Sequence, residues 1–232
     1  MSKMDPYIKN TKKHALVWQE SIEKYGPITL PAEYTHYIQD NALQLLVRLA
    51  RYKFVARNLK ATDRVLEIGS GTGLGAQFLA QHCAFVKGIE FKEEEIKRAN
   101  SIKLRSNIEF IHGDFFDLDT KEKFDCLVNL DVIEHMPEDI GKKFIAKTAK
   151  HLSKNGMMII GTPSIYSFPF QGPRSRAAHI KCYDQEELLK IVDRHYGRTM
   201  AFSMNDEIVH TGFSKLAWYY FIIAFYPKGG GI

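Results

Sequence analysis

Apolar positions along the chain follow two periods that take turns. Short apolar runs rich in β-branched residues at 65–68, 84–90, 108–114, 124–130 and 157–161 read as strands. Between them, apolar residues at every third or fourth position predict helices over about 76–83, 92–104 and 138–152. In the last of these, Ile140, Phe144, Thr148 and Leu152 form one stripe and Asn155-Gly156 supplies a C-cap. Asp184-x-x-Glu187 caps a further helix running to about His195, and closing strands are expected near 198–204 and 218–226. Residues 1–60 hold two more helical candidates, 14–25 and 34–58. The second carries Ile38, Ala42, Leu45, Leu46, Leu49 and Val55 at helical spacing and is expected to pack on the sheet. Strand and helix in alternation predict an α/β chain with a doubly wound, mostly parallel sheet of seven strands and ligand sites at the strands' carboxyl ends.

Composition narrows this picture without redirecting it. At 232 residues the chain suits one well-buried domain with an N-terminal helical extension. Hydrophobic residues at 45% and charged residues at 25% are those of an ordinary globular protein, which argues against disorder and a membrane-spanning class. The apolar segment 216–226 is too short to cross a bilayer and reads as a core strand. A net charge of +5, spread along the chain, permits acidic partners without requiring nucleic acid. Cys83, Cys126 and Cys182 are odd in number and lack CxxC spacing, so neither a disulfide framework nor a structural zinc is expected. With no apolar h-region after Met1, a cytoplasmic location is expected.

Candidate chemistry concentrates at the strand ends. The first strand ends in Glu67-Ile68-Gly69-Ser70-Gly71-Thr72-Gly73, a strand that turns sharply into a helix. Glycines there allow positive φ and let a ligand come close to the main chain. Glu67 would repel a pyrophosphate but suits a ligand with an ammonium group. Glu90, about twenty residues on at the end of the second strand, is placed to accept hydrogen bonds from ribose hydroxyls. A Gly-x-Gly-x-x-Gly dinucleotide fingerprint is met only approximately, because Leu74 or Ala76 stands where the last glycine belongs.

Glu67-x-Gly69-x-Gly71-x-Gly73 resembles the first motif of class I S-adenosylmethionine-dependent methyltransferases, and the resemblance runs from about Asp63 to about Gly161. It implies a Rossmann-like sheet whose last strand is antiparallel, with S-adenosylmethionine held by Glu67, Gly69, Gly71, Gly73, Glu90, Asp114, Phe115 and Leu130. Asp114 would accept from the adenine amino group, or simply cap the turn that follows it. Asp131-x-x-Glu134-His135, with His179 further on, resembles the metal constellation of ubiquinone-biosynthesis O-methyltransferases and small-RNA 2′-O-methyltransferases. It implies that Asp131, Glu134, His135 and His179 hold Mg²⁺ or another divalent ion, with Glu134, His135 and His179 catalytic. Two other roles for His135 stay open: a metal-free general base, and a structural hydrogen bond to loop backbone.

Pro163, Pro169, Gly172 and Pro173 interrupt 162–183, which is read as an acceptor loop beside the cofactor edge. Residues 61–232 are then the methyltransferase domain. Residues 1–60 are the extension, whose Tyr25, Tyr34, Tyr37 and His36 either fold over the cofactor as a lid or pack an accessory helix. The expected reaction is O-methylation of a small molecule, sugar or lipid-linked precursor. RNA 2′-O-methylation is the first rival, hinted at only by Arg174, Arg176 and Lys181. A non-catalytic S-adenosylmethionine-binding protein and a nicotinamide oxidoreductase are the others. Whether the chain forms a homodimer stays open.

Overall fold

The computed structural model describes residues 6–27 and 29–228; the reading of the first five residues lies outside them. Eight strands form one sheet in the order β3-β2-β1-β4-β5-β8-β6-β7. They are β1 Arg64–Ile68, β2 Phe85–Glu90, β3 Ile108–His112, β4 Phe124–Leu130, β5 Leu152–Pro163, β6 Tyr196–Asn205, β7 Ile208–His210 and β8 Tyr219–Pro227. β1 pairs in parallel with β2 and β4, and the parallel pairing continues to β3 on one side and β5 on the other. β8 runs antiparallel between β5 and β6, as the resemblance implied. The expected seven strands become eight because β6 folds back into a short hairpin with β7.

Alternation along the strands divides the core into two layers. Val65, Val86, Cys126, Val128 and Ile159 face a layer built with α3 Ala42–Asn58, α4 Leu74–Leu79 and α5 Glu93–Ser101. Leu66, Ile89, Leu127, Met158 and Ile160 face the other, built with α6 Glu138–His151 and α8 Gln185–Asp193. Adjacent residues of a strand therefore serve opposite layers, as a sheet covered on both faces requires. α6 buries its predicted stripe at Phe144 and Thr148, and fully burying one such side chain stabilises by roughly 1.5–3 kcal/mol. Asp184 Oδ1 accepts from the Glu187 amide at 2.9 Å, the expected cap of α8.

Several boundaries differ from expectation. The candidate helix 34–58 is two helices, α2 Ala32–Asp40 and α3, broken where Asn41 takes φ −158° and ψ 81°. Ile38 and Leu46 are consequently exposed, and α3 packs on the sheet through its second half at Ala50, Val55 and Ala56. The first candidate begins earlier, as α1 Pro6–Tyr25. Asn155-Gly156 is not a C-cap: α6 passes straight into β5 at an extended Leu152, and the pair lies inside β5 near a register shift opposite β4. The acceptor loop is not structureless. It holds a 3-10 helix, Ile165–Phe170, and α7 Pro173–Ala178, and its ends are tied by a bridge between Ser164 and Tyr183. Cys83, Cys126 and Cys182 are free and buried. No helix among the described residues is long and apolar enough to cross a membrane.

Candidate functional site

Strand order reverses at β1, since β2 and β3 extend the sheet on one side and β4 on the other. The carboxyl ends of β1 and β4 thus open a crevice of the kind that binds ligands in doubly wound sheets. The turn after β1 and residues 131–135 after β4 both empty into it. Gly69, Gly71 and Gly73 have φ of 73°, 51° and 81°, the left-handed region that glycine enters without steric cost. The turn is pinned to β2 by the amides of Gly69 and Ser70, which both donate to the Ile89 carbonyl. A Cβ at Gly69 would lie 2.4 Å from Val132 Cγ2, whereas one at Gly71 would meet nothing within 4 Å. Gly71 is therefore the point where the backbone faces open space. A cleft of about 250 Å³ lies there, lined among others by Tyr34, Arg48, Arg51, Tyr52, Gly71 and Leu130.

Two buried carboxylates border the turn. Glu90 accepts from the Gly71 amide at 3.2 Å and, through its other oxygen, from the Lys92 amide at 3.0 Å. Glu67 is 2% exposed; its Oε1 accepts from the Tyr52 hydroxyl at 2.9 Å and its Oε2 has no partner. Burial pushes the Glu67 carboxyl up to about 8, and the Tyr52 hydrogen bond only partly opposes this. A bare carboxylate oxygen, a backbone open at Gly71 and a second carboxylate at the next strand end fit a ligand with an ammonium group and a ribose. Asp114 is exposed and Oδ1 accepts from the Phe116 amide at 2.8 Å, so in this state it caps the turn. The Phe115 ring is turned into the core against Phe144, which leaves its backbone for a ligand.

Beyond β4 the three residues Glu134, His135 and His179 each offer a ligand atom within 4.8 Å of the others. Glu134 is fully buried; Oε2 accepts from Thr162 Oγ1 at 2.9 Å while Oε1 has no partner. Burial, then the Asp131 charge, raises its pKa. His135 Nδ1 lies 2.9 Å from the Ala178 carbonyl, which only accepts, so the proton sits on Nδ1 and Nε2 keeps its lone pair. His179 Nδ1 lies 2.7 Å from Gln171 Oε1 and is fixed in the same tautomer, because the Gln171 amide nitrogen is used on Ser167. Burial, then the His135 ring, lowers the His179 pKa and favours the neutral form.

Asp131, expected from the sequence to be a fourth ligand, lies outside this cluster of three. It stands at φ 57°, and Arg51 Nη1 reaches its two oxygens at 2.8 and 2.6 Å. Burial weakens the Arg51 cation, but the Asp131 charge, Tyr219 and the Asp131 hydrogen bond together more than offset it and raise its pKa, and the guanidinium stacks 3.9 Å from the centre of the Tyr219 ring. Arg48, Arg51 and Tyr52 were not singled out from the sequence. Their only signal is spacing: positions i, i+3 and i+4 set three polar groups on one face of α3. Of the tyrosines proposed for a lid, Tyr34 is buried and lines the cleft, while Tyr25 is 75% exposed.

Residues 65–156 match the family model described as a methyltransferase domain. Ubiquinone biosynthesis O-methyltransferases of Bradyrhizobium diazoefficiens and Pelagibacter ubique are 30% and 33% identical to it, over 54% and 43% of this chain and 48% and 41% of theirs. The chain thus spans about half the length of the curated relatives it matches or less. In fold it is similar to the N-methyltransferase NodS of Bradyrhizobium japonicum bound to S-adenosylhomocysteine, with a TM-score of 0.62 and 19% identity over 90% of this chain and 97% of that one. Glycine turn, paired acidic strand ends and the matched segment 65–156 agree: in sequence motif and in fold the chain is similar to the class I, S-adenosylmethionine-dependent methyltransferases.

Proposed function

We propose that the chain transfers the methyl group of S-adenosylmethionine to a hydroxyl oxygen of a small or lipid-linked acceptor. The turn 69–73 and Glu90 hold the adenosine, with Asp114 and the backbone near Phe115 at the adenine. Glu67 meets the amino group, and Arg48, half-buried in the cleft, is a cation that can meet the carboxylate. The acceptor enters beside the loop 162–183. Phe170 and Trp218, exposed and 6.0 Å apart, offer an apolar wall there, and Phe170 directly precedes the residue that orients His179.

The observation that carries the choice of oxygen is the cluster of Glu134, His135 and His179. An unpartnered buried carboxylate oxygen beside two imidazoles with fixed tautomers is a donor set suited to a divalent ion. Such an ion lowers the pKa of a bound hydroxyl and so readies it for methylation. Thr162, the Ala178 carbonyl and Gln171 orient the three side chains, whatever the cluster holds. The RNA reading loses support, because Lys181 is paired with Glu187 at 2.6 Å and only Arg174 and Arg176 remain as free basic groups of that hint. The relatives named for ubiquinone biosynthesis favour an acceptor with neighbouring oxygens on an apolar body.

The test compares metal-stripped enzyme with enzyme resupplied with Mg²⁺ or Mn²⁺, using catechols as probes. Turnover should disappear on stripping and return on resupply, while S-adenosylhomocysteine affinity stays nearly constant. Calorimetric titration with Mn²⁺ should show one site in the wild type and none in His179→Ala. Equal turnover in stripped and resupplied enzyme would eliminate the metal and leave His135 as a general base.

A further inference from the structure

We infer that Tyr52 is the positioning residue that aims Glu67 at the amino group of the cofactor, an inference that rests on the S-adenosylmethionine reading above. Glu67 has two oxygens and only one of them is held. Tyr52 donates to Oε1 at 2.9 Å, and Oε2 is left buried without a partner. Burial, then the Glu67 charge, raises the Tyr52 pKa well above its ordinary value, so the phenol stays a donor. A neutral donor on one oxygen fixes the plane of the carboxyl group and leaves the second oxygen for a ligand cation, whose charge favours the ionised form that burial alone disfavours.

The fit of Tyr52 explains a glycine. A Cβ at Gly75 would lie 2.2 Å from Cε1 and Cζ of the Tyr52 ring. Gly75 is the second residue of α4 and has no positive φ to require it. The turn glycines serve backbone conformation and ligand approach. Gly75 instead clears a notch through which a side chain of α3 reaches the end of β1. The extension is thereby part of the cofactor site, since the residue that sets Glu67 comes from it. Arg51, the preceding residue of α3, holds Asp131 at the end of β4. Consecutive side chains of one helix thus reach the ends of both strands that form the crevice.

The experiment compares two ligands in calorimetry: S-adenosylhomocysteine, which carries the amino-acid tail, and 5′-methylthioadenosine, which has the adenosine and sulfur but no tail. Tyr52→Phe keeps the ring in the Gly75 notch and removes only the hydroxyl. It should raise the Kd of S-adenosylhomocysteine about tenfold, the low end for a hydrogen bond to a charged group. The Kd of 5′-methylthioadenosine should change less than about twofold, which also reports that the variant is folded. Gly75→Ala, which displaces the ring, should show the same selective loss. In a Glu67→Gln background, Tyr52→Phe should have little further effect on S-adenosylhomocysteine. Equal weakening of both ligands would reduce Tyr52 to a structural part of the cleft and overturn the inference, as would a variant indistinguishable from wild type. If the wild-type chain binds neither nucleoside, the S-adenosylmethionine reading itself falls.

Discussion

Glu67 and Glu90 end neighbouring strands as buried carboxylates, yet their surroundings give them different behaviour. Glu90 spends its oxygens on two backbone amides, that of Gly71 in the ligand turn and that of Lys92 just after its own strand. Glu90→Ala should weaken S-adenosylhomocysteine binding by roughly 1.5–3 kcal/mol, the scale of hydrogen bonds to a charged group. A calorimetric Kd equal to wild type, in a folded variant, would remove Glu90 from the ribose. Glu67 has one phenol and otherwise apolar burial, which takes its pKa from 4.5 to about 8. The folded protein therefore binds this proton more tightly than the unfolded chain does. Its contribution to stability is complete below about 4.5 and is lost as pH rises through about 8. Glu67→Gln removes that dependence: in urea unfolding without ligand, the wild type should lose stability relative to the variant between pH 5 and 8, by on the order of a few kcal/mol. Parallel pH profiles would contradict the raised pKa. Both carboxylates were legible in the sequence, because an acid closing a β-branched run marks a strand end. Arg51 and Tyr52 were not: their partners Asp131 and Glu67 lie 80 and 15 residues away, and only the folded sheet brings them together.

Among the elements, the buried strands were the most legible and the junctions the least. The run 124–130 reproduces β4 residue for residue, since a mostly apolar run of seven residues has the length of a strand buried on both faces and is short for a helix. Asn41 ends a helix that apolar spacing alone continues, because a polar residue with low helix preference is tolerated in many helices and breaks this one only through tertiary context. Asn155-Gly156 carried a local turn signal that sheet pairing overrode. The β6–β7 hairpin had a readable cue in Asn205-Asp206, with Asp206 at φ 50°, but a three-residue strand is too short to announce itself. Asp184 is the junction residue whose cue and role agree. Asp184→Ala should cost about 1 kcal/mol of stability, a typical value for a lost N-cap, and Asp184→Asn much less. Equal midpoints for Ala and Asn in chemical denaturation would show that the cap contributes nothing.

For the molecule as a whole, the doubly wound topology gathers residues from 48 to 179 at one edge of the sheet, so the cleft at Gly71 and the cluster of Glu134, His135 and His179 lie at the same edge. The alternation of periods was enough to foresee that edge; which helix face closes over it was not, because α3 precedes the first strand and belongs to no crossover. The reversed strand β8 has a consequence for how the protein is made. β8 lies between β5 and β6 in space but follows both in the chain, so each must wait, with an unpaired edge, until residues 219–227 leave the ribosome. Two strand edges waiting for one insert is an invitation to mispairing during synthesis. Nascent chains arrested with β8 still in the exit tunnel should be cut by protease within β6, and arrest on an appended flexible linker long enough to bring β8 out should protect it. Protection at the earlier point would mean that the parallel half of the sheet shelters β6 without its neighbour. Emergence of β8, rather than formation of the ligand turn, is then the event that completes this sheet.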